Sequence, residues 1–238
     1  AQVAKLDEIR QTVVATSQVP LYVNDPVAVT AEGTPVRIVR NAETNLGDLC
    51  ADAYRALSNA DIAFVNGGGI RKQIEAGDIT LDDIYSVHPF GNTMCVIRVT
   101  GQQVLDALEW GARAVPSENG GFLQVSGLTY EIHTGVASSA EKDENGMFTR
   151  VSGEYRVKNV MVGGQPLELD KTYTLASHNY MLLGHGDGYT MFDGCEVLGE
   201  DMMVDNQVLI TYITTTLGGV VGEQYANPYG DGRIVAVE

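Results

Sequence analysis

Asp61-Ile62-Ala63-Phe64-Val65-Asn66-Gly67-Gly68-Gly69-Ile70-Arg71 joins an apolar run to three consecutive glycines and a cation. The run Asp61 to Val65 is too short for a helix and has no polar alternation, so it reads as a short buried strand. The glycines carry no Cβ, which lets the backbone turn sharply and come close to a ligand. The pattern is not a P-loop, because GK[ST] is missing. It is not a dinucleotide fingerprint either, because Lys72 stands where the last glycine belongs. Two readings of the turn stand side by side, a ligand loop and a tight structural turn. Upstream, Thr44-Asn45 followed by Leu46, Leu49, Cys50, Ala53, Tyr54 and Leu57 predicts a capped helix with one apolar face.

Helices and strands interleave outward from this unit. Val3, Leu6, Ile9 and Val13 recur at helical spacing and predict an amphipathic helix over residues 1 to about 13; it starts without a cap, as the end of something longer would. Proline and glycine then punctuate short extended pieces at Val13 to Ala15, Leu21 to Val23 and Val27 to Thr30. Thr80 with Asp83, and Thr100 with Gln103, resemble capping boxes, the second opening a helix that turns Val104, Leu105, Leu108 and Ala112 inward. Between them Thr93 to Val99 alternates like a strand. Further strands are expected at Phe122 to Val125, Leu128 to His133, Tyr155 to Val162 and Thr172 to Ser177, with Gly163-Gly164 as a hairpin turn. Residues 135 to 153 are polar and read as an exposed excursion. A last helix follows Asp205, and Gly232 to Val237 is a terminal strand. Without strict βαβ alternation, the fold class is α/β with mixed sheets in three or four layers rather than a Rossmann sheet.

The chain has 238 residues and a formal net charge of −16. That charge argues against a nucleic-acid polymer or an anionic membrane as bulk partner, while a small anion held by local arginines stays open. No apolar run reaches the length of a membrane span. Cys50, Cys95 and Cys195 are too scattered for a disulfide framework or a CxxC metal pattern and read as core residues.

Few residues offer chemistry of their own. Gly184-His185-Gly186-Asp187-Gly188 can present Asp187 as an acceptor pair suited to vicinal hydroxyls, and Tyr180 offers a flat face for a heterocycle; a calcium-like or plain surface turn is the alternative. Phe90, between Pro89 and Gly91, is either a stacking platform or a core plug. Arg37 and Arg40 flank Ile38-Val39 and are either ligand-facing or solvated. There is no G-x-S-x-G elbow and no H-E-x-x-H. Only His178, His185 and Asp187 are close enough in sequence to be weighed as a metal set, and satisfied or exposed histidines are the simpler reading.

Arg40-Asn41-Ala42-Glu43-Thr44-Asn45-Leu46-Gly47-Asp48-Leu49, then Asn66-Gly67-Gly68-Gly69-Ile70-Arg71, Gly77-Asp78-Ile79-Thr80, Pro89-Phe90-Gly91-Asn92 and Gly186-Asp187-Gly188-Tyr189 follow one another in an order and spacing that resembles the C-terminal domain of the 5'-nucleotidase family. The resemblance spans about Val14 to Val237. It implies that residues 1–13 end an interdomain linker helix and that 14–238 form the substrate-binding domain of a two-domain hydrolase. The family's N-terminal metallophosphoesterase domain, with its pair of divalent metal ions (zinc, manganese or similar), is absent from this chain. By the same resemblance Arg40 and Arg71 contact the nucleotide near ribose and phosphate, and Asn66 gives a polar contact to the base. Phe90 and Tyr180 sandwich the base, and Asp187 accepts from the ribose hydroxyls. Gly68, Gly69, Asn179 and Gly186 belong to the same substrate-binding set. Tyr180 replaces a common Phe, and His185 stands where Gly is frequent.

No catalytic residue, metal ligand or resident cofactor is assigned within the chain, which alone is expected to be inactive. The implied partners are a nucleotide or nucleoside and the chain's own N-terminal domain. The implied location is extracellular, periplasmic or cell-surface. A stand-alone nucleoside or nucleotide-sugar binding module and a 2',3'-cyclic-nucleotide phosphodiesterase parent are the competing readings.

Overall fold

The computed structural model describes residues 8–238. Its centre is a five-stranded mixed sheet in the order Glu196–Gly199, Met94–Thr100, Thr172–His178, Ile62–Asn66, Leu123–Ser126. Thr172–His178 runs antiparallel to Met94–Thr100 and parallel to Ile62–Asn66, which in turn runs antiparallel to Leu123–Ser126. Side chains alternate across a strand, so Ala63 and Val65 enter one core cluster while Ile62 and Phe64 enter another. Met94–Thr100, two strands away in the same sheet, behaves alike, with Met94 and Val96 on one side and Cys95, Ile97 and Val99 on the other. Coverage of both faces is why Asp61 to Val65 shows no polar alternation.

The helix Asn45–Ser58 covers the first face, packed with Val208, Leu209 and Ile213 from the last helical segment. The helix Gly101–Ala112 covers the second and is itself overlaid by a four-stranded sheet, Gln165–Pro166, Val157–Val162, Leu128–His133 and Ile234–Val237. Glu109 pins these layers together, its carboxylate accepting from the backbone N–H groups of Arg156 (3.2 Å) and Val157 (2.9 Å). The result is a mixed α/β domain of alternating helix and sheet layers, and both expected capping boxes, at Thr80 and Thr100, are formed.

Some expectations fail at the periphery. Residues 8–10 are helical, but Val13 already belongs to the strand Val13–Ser17 and pairs with Thr80, so the N-terminal helix stops short of residue 13. Val3 and Leu6, on which that spacing relied, lie outside the described residues. Leu21 to Val23 is reduced to one bridge, Leu21 to Ile74. The stretch 135 to 153 is not simply exposed. It folds a hairpin, Ala140–Lys142 with Phe148–Val151, because Phe148 is a buried anchor packed edge-on to Trp110 at 5.7 Å between centroids.

The C-terminal strand is held by a carboxylate cluster. Glu43 accepts from the backbone N–H groups of Asp231 (2.7 Å), Gly232 (3.0 Å) and Ile234 (2.7 Å). Arg233 clamps Asp52 at 2.7 and 3.0 Å and lies 3.5 Å from Asp48. Burial pushes the Asp48 carboxyl up to about 9; Arg233 opposes this, and Glu43 and Asp231 add to it. A carboxyl raised this far is expected to be neutral at pH 7 and to take up a proton on folding. A carboxyl whose folded pKa lies above its unfolded value favours the folded state fully below the unfolded pKa, and that advantage is lost as pH rises through the folded one. We expect this part of the stability to decline from about pH 4 to about pH 9. In thermal melts across that range, Asp48→Asn should show a flatter profile and melt above the wild type at the alkaline end. A variant whose melting temperature tracks the wild type throughout would refute the protonated Asp48.

Candidate functional site

The central strand ends at Asn66, and the chain turns at once through Gly67–Gly69. A Cβ on Gly67 would collide with the Val39 carbonyl oxygen, one on Gly68 would stand 2.9 Å from the Gly120 oxygen, and one on Gly69 would stand 2.7 Å from Asn66 Oδ1. The tight structural turn holds at Gly67, and the ligand-loop reading stays a candidate at the next two positions. Gly67 is packed against backbone, while Gly68 and Gly69 line a cleft of about 490 Å³. Arg40, Asn66, Arg71, Phe90, Tyr180 and Asp187 line the same cleft, joined by Asn92 and Gly120. Asn92 ends the Pro89-Phe90-Gly91-Asn92 motif. Gly120 carries no signal in sequence, since only the fold brings it against Gly68.

Asp187 is built in from below. It adopts a left-handed conformation (φ 55°), as does His185 (φ 56°), and Gly188 follows at φ 84°. Trp110 Nε1 donates to the Asp187 carbonyl at 2.9 Å and fixes the turn. Asn66 Nδ2 donates to Asp187 Oδ2 at 2.7 Å, and the Tyr180 hydroxyl donates to Oδ1 at 3.2 Å. With its amide nitrogen spent on a carboxylate, Asn66 must present Oδ1 as an acceptor to His178 Nε2, 2.9 Å away. His178 is therefore the neutral tautomer protonated at Nε2, consistent with burial pushing its pKa down to about 4. His178 is committed to Asn66, and His185 pairs with Asp193. The histidines and Asp187 thus do not converge as a metal set.

The rest of the lining is cationic and aromatic. Phe90 is 59% exposed and Tyr180 44% exposed, so Phe90 is no core plug. A Cβ on Gly186 would collide with the Tyr180 ring, so that glycine is what lets the ring lie over the turn. Arg71 donates to the Gly68 carbonyl at 3.3 Å, with its guanidinium carbon 5.8 Å from the Phe90 centroid. Arg40 Nε is buried without a partner. Burial lowers the Arg40 pKa, and the like charges of Arg37 and Arg71 lower it further. An anion in the cleft would offset the like-charge repulsion and favour the charged guanidinium. Arg37 itself points away into a two-pronged pair with Glu118, at 2.7 and 2.9 Å.

Two of the residues expected to bind ligand do not line the cleft. Gly186 lies under Tyr180. Asn179 turns its side-chain oxygen to the backbone N–H groups of Thr93 (3.0 Å) and Tyr180 (2.9 Å). Elsewhere, Glu43, Asp48 and Asp231 gather carboxylate oxygens within 4.8 Å of one another. The Arg233 guanidinium already sits among them, 2.9 Å from Asp231 and 3.5 Å from Asp48, so this cluster is a poor fit for a divalent ion.

Known proteins resemble this chain in sequence and fold. The family model of the 5'-nucleotidase C-terminal domain matches residues 13–194. The chain is 36% identical over 203 residues to the trifunctional nucleotide phosphoesterase protein YfkN of Bacillus subtilis, covering 84% of this chain and 13% of that protein. It is 34% identical over 176 residues to a 5'-nucleotidase of Vibrio cholerae, covering 74% of this chain and 28% of that protein. The crystal structure of the 5'-nucleotidase precursor from Thermus thermophilus superposes with a TM-score of 0.78 at 30% identity, covering 99% of this chain and 41% of that one. The chain thus spans less than half the length of these relatives. With a family model covering most of its length, the chain belongs to the 5'-nucleotidase C-terminal domain family.

Proposed function

We propose that the cleft binds a nucleotide and presents its phosphate to a metal centre in an N-terminal metallophosphoesterase domain of the same protein. The observation that carries this reading is the convergence of two exposed aromatic rings, a carboxylate and two arginines on one cleft of about 490 Å³. Each group type matches a different part of a nucleotide. Phe90 and Tyr180 supply flat faces for a base. Asp187 only accepts hydrogen bonds and suits the two hydroxyls of a ribose. Arg40 and Arg71 donate and carry fixed charge, which suits a phosphate. Asp187 would repel a phosphate beside it, so the phosphate points toward the arginines.

In the parent enzyme the metal pair would activate water and stabilise the charge on the phosphate, while this domain contributes binding and orientation. The family's two-domain organisation supports the hydrolase reading over a free-standing binding module. No helix among the described residues is long and apolar enough to cross a membrane. A location outside the cytoplasm rests on the family resemblance.

Base–aromatic stacking is worth about 1–3 kcal/mol per base, so Phe90→Ala and Tyr180→Ala should each weaken adenosine binding by that amount in calorimetry on folded protein. The losses should be non-additive if one base lies between both rings. Unchanged affinity in both single variants would remove the sandwich.

Asp187 and the arginines should separate by ligand. Asp187→Asn should weaken adenosine and AMP alike and affect 2'-deoxyadenosine less, because a carboxylate is needed only where hydroxyls donate. Arg40→Ala and Arg71→Ala should cost more for AMP than for adenosine, with a difference that shrinks at high salt. If Asp187→Asn weakens all three ligands equally and also melts earlier, Asp187 serves the turn rather than the ribose.

A further inference from the structure

The two aromatic walls of the cleft stand on different segments. Phe90 follows the helix Leu81–Val87, and Tyr180 follows the strand Thr172–His178. The gap between them is set by what braces the loop from Phe90 to Thr93. On one side Asn179 Oδ1 takes the N–H groups of both Thr93 (3.0 Å) and Tyr180 (2.9 Å), and its own N–H donates to the Thr93 carbonyl at 2.8 Å. One side chain thus ties the loop of one ring to the turn of the other. On the other side stands Asp205, only 2% exposed. Its Oδ2 accepts from the Asn92 N–H at 3.1 Å, its Oδ1 accepts from the Asn206 N–H at 2.8 Å, and its own N–H donates to the Asn92 carbonyl at 2.8 Å. A bridge from Thr93 to Val204 and a 2.6 Å bond from Thr93 Oγ1 to Asp201 extend the same seam. Asn92 lines the cleft, while Asp205 does not.

We infer that Asp205 is a positioning residue for the aromatic wall: its carboxylate holds Asn92 and with it the loop that carries Phe90 on the cleft it shares with Tyr180, and protonation of Asp205 releases that wall. The inference rests on the nucleotide-binding reading of the cleft. A carboxylate accepts at both oxygens, whereas a protonated carboxyl turns one of them into a donor. N–H groups face both oxygens, and the proton goes to Oδ2, whose bond to Asn92 is the longer (3.1 against 2.8 Å), so the hold on Asn92 is the one weakened.

The surroundings place this change in a mildly acidic range. Burial pushes the Asp205 carboxyl up to about 6, with the Asn206 and Asn92 N–H groups pulling it back. The groups facing it from the helix Asn45–Ser58 are Cys50 and Tyr54, both pushed up by burial and neutral. Asp201 adds a further carboxylate beside Thr93. Behind the cleft, His88 and His178 are each pushed down to about 4 by burial and stay neutral while Asp205 titrates. The exposed His185–Asp193 pair lies next to Asp187 and must be controlled for separately.

The test is a pH series from about 5 to about 7.5 on the isotope-labelled chain, following backbone amide shifts by NMR and adenosine affinity by calorimetry. The expected result is that the Asn92 and Asn206 amides titrate together with a midpoint near 6, and that adenosine affinity falls several-fold over the same range. Asp205→Asn should abolish both titrations and bind adenosine at the wild type's weak, acidic level at every pH. The wild-type series alone decides the matter if that variant does not fold. An Asn92 amide that stays still, or an affinity that does not follow it, overturns the inference. So does a pH dependence that disappears in His185→Gln. Folded wild-type chain that binds no adenosine at the neutral end instead removes the nucleotide reading, and this inference with it.

Discussion

The amide of Asn66 is the joint on which the cleft depends. It sits at the end of a strand buried on both faces, so its position is set by the core rather than by a loop. One end of the amide donates to Asp187 and the other accepts from His178. That pairing fixes three things at once: which way the amide points, which tautomer His178 adopts, and that Asp187 remains an acceptor aimed into the cleft. The glycines that follow, and the left-handed turn around Asp187, are the backbone conditions for bringing two distant segments to the same amide. Preorganisation of this kind lowers the ordering cost that a ligand would otherwise meet on binding.

Much of what marks the chain in sequence serves architecture. In Arg40 to Leu49, Arg40 alone lines the cleft. Thr44 caps its helix, Glu43 holds the last strand by three backbone N–H groups, and Asn45 reaches Tyr22, Pro20 and Tyr225. Buried polar side chains of this sort must be satisfied in full, which restricts their identity as tightly as ligand contact does. Asn179 is a similar case: expected at the ligand, it spends its side chain on backbone.

Legibility followed the range of the interactions. Residues whose role is local could be read directly, as with the capping boxes at Thr80 and Thr100, the buried run Ile62 to Val65 and the glycine turn after it. Residues whose role depends on a distant partner could not. Physics alone left Phe90 open between plug and platform, since exposure is decided by what packs above it. The stretch 135 to 153 looked polar throughout because its anchor is the single residue Phe148, matched to Trp110 from another layer. Gly120 and Asp205 gave no signal at all, because their partners Gly68 and Asn92 come to them only through the fold. The candidate ligand-binding set comes from family resemblance; the structure adds which of its members share a cleft and which lie beside it.

The most direct measurement of the central claim is a crystal structure of this chain with AMP. The account predicts the base between Phe90 and Tyr180, the ribose hydroxyls on Asp187 with the Asn66 bond retained, and the phosphate directed toward Arg40 and Arg71. AMP bound with its phosphate away from both arginines, or bound elsewhere while the cleft stays empty, would contradict it.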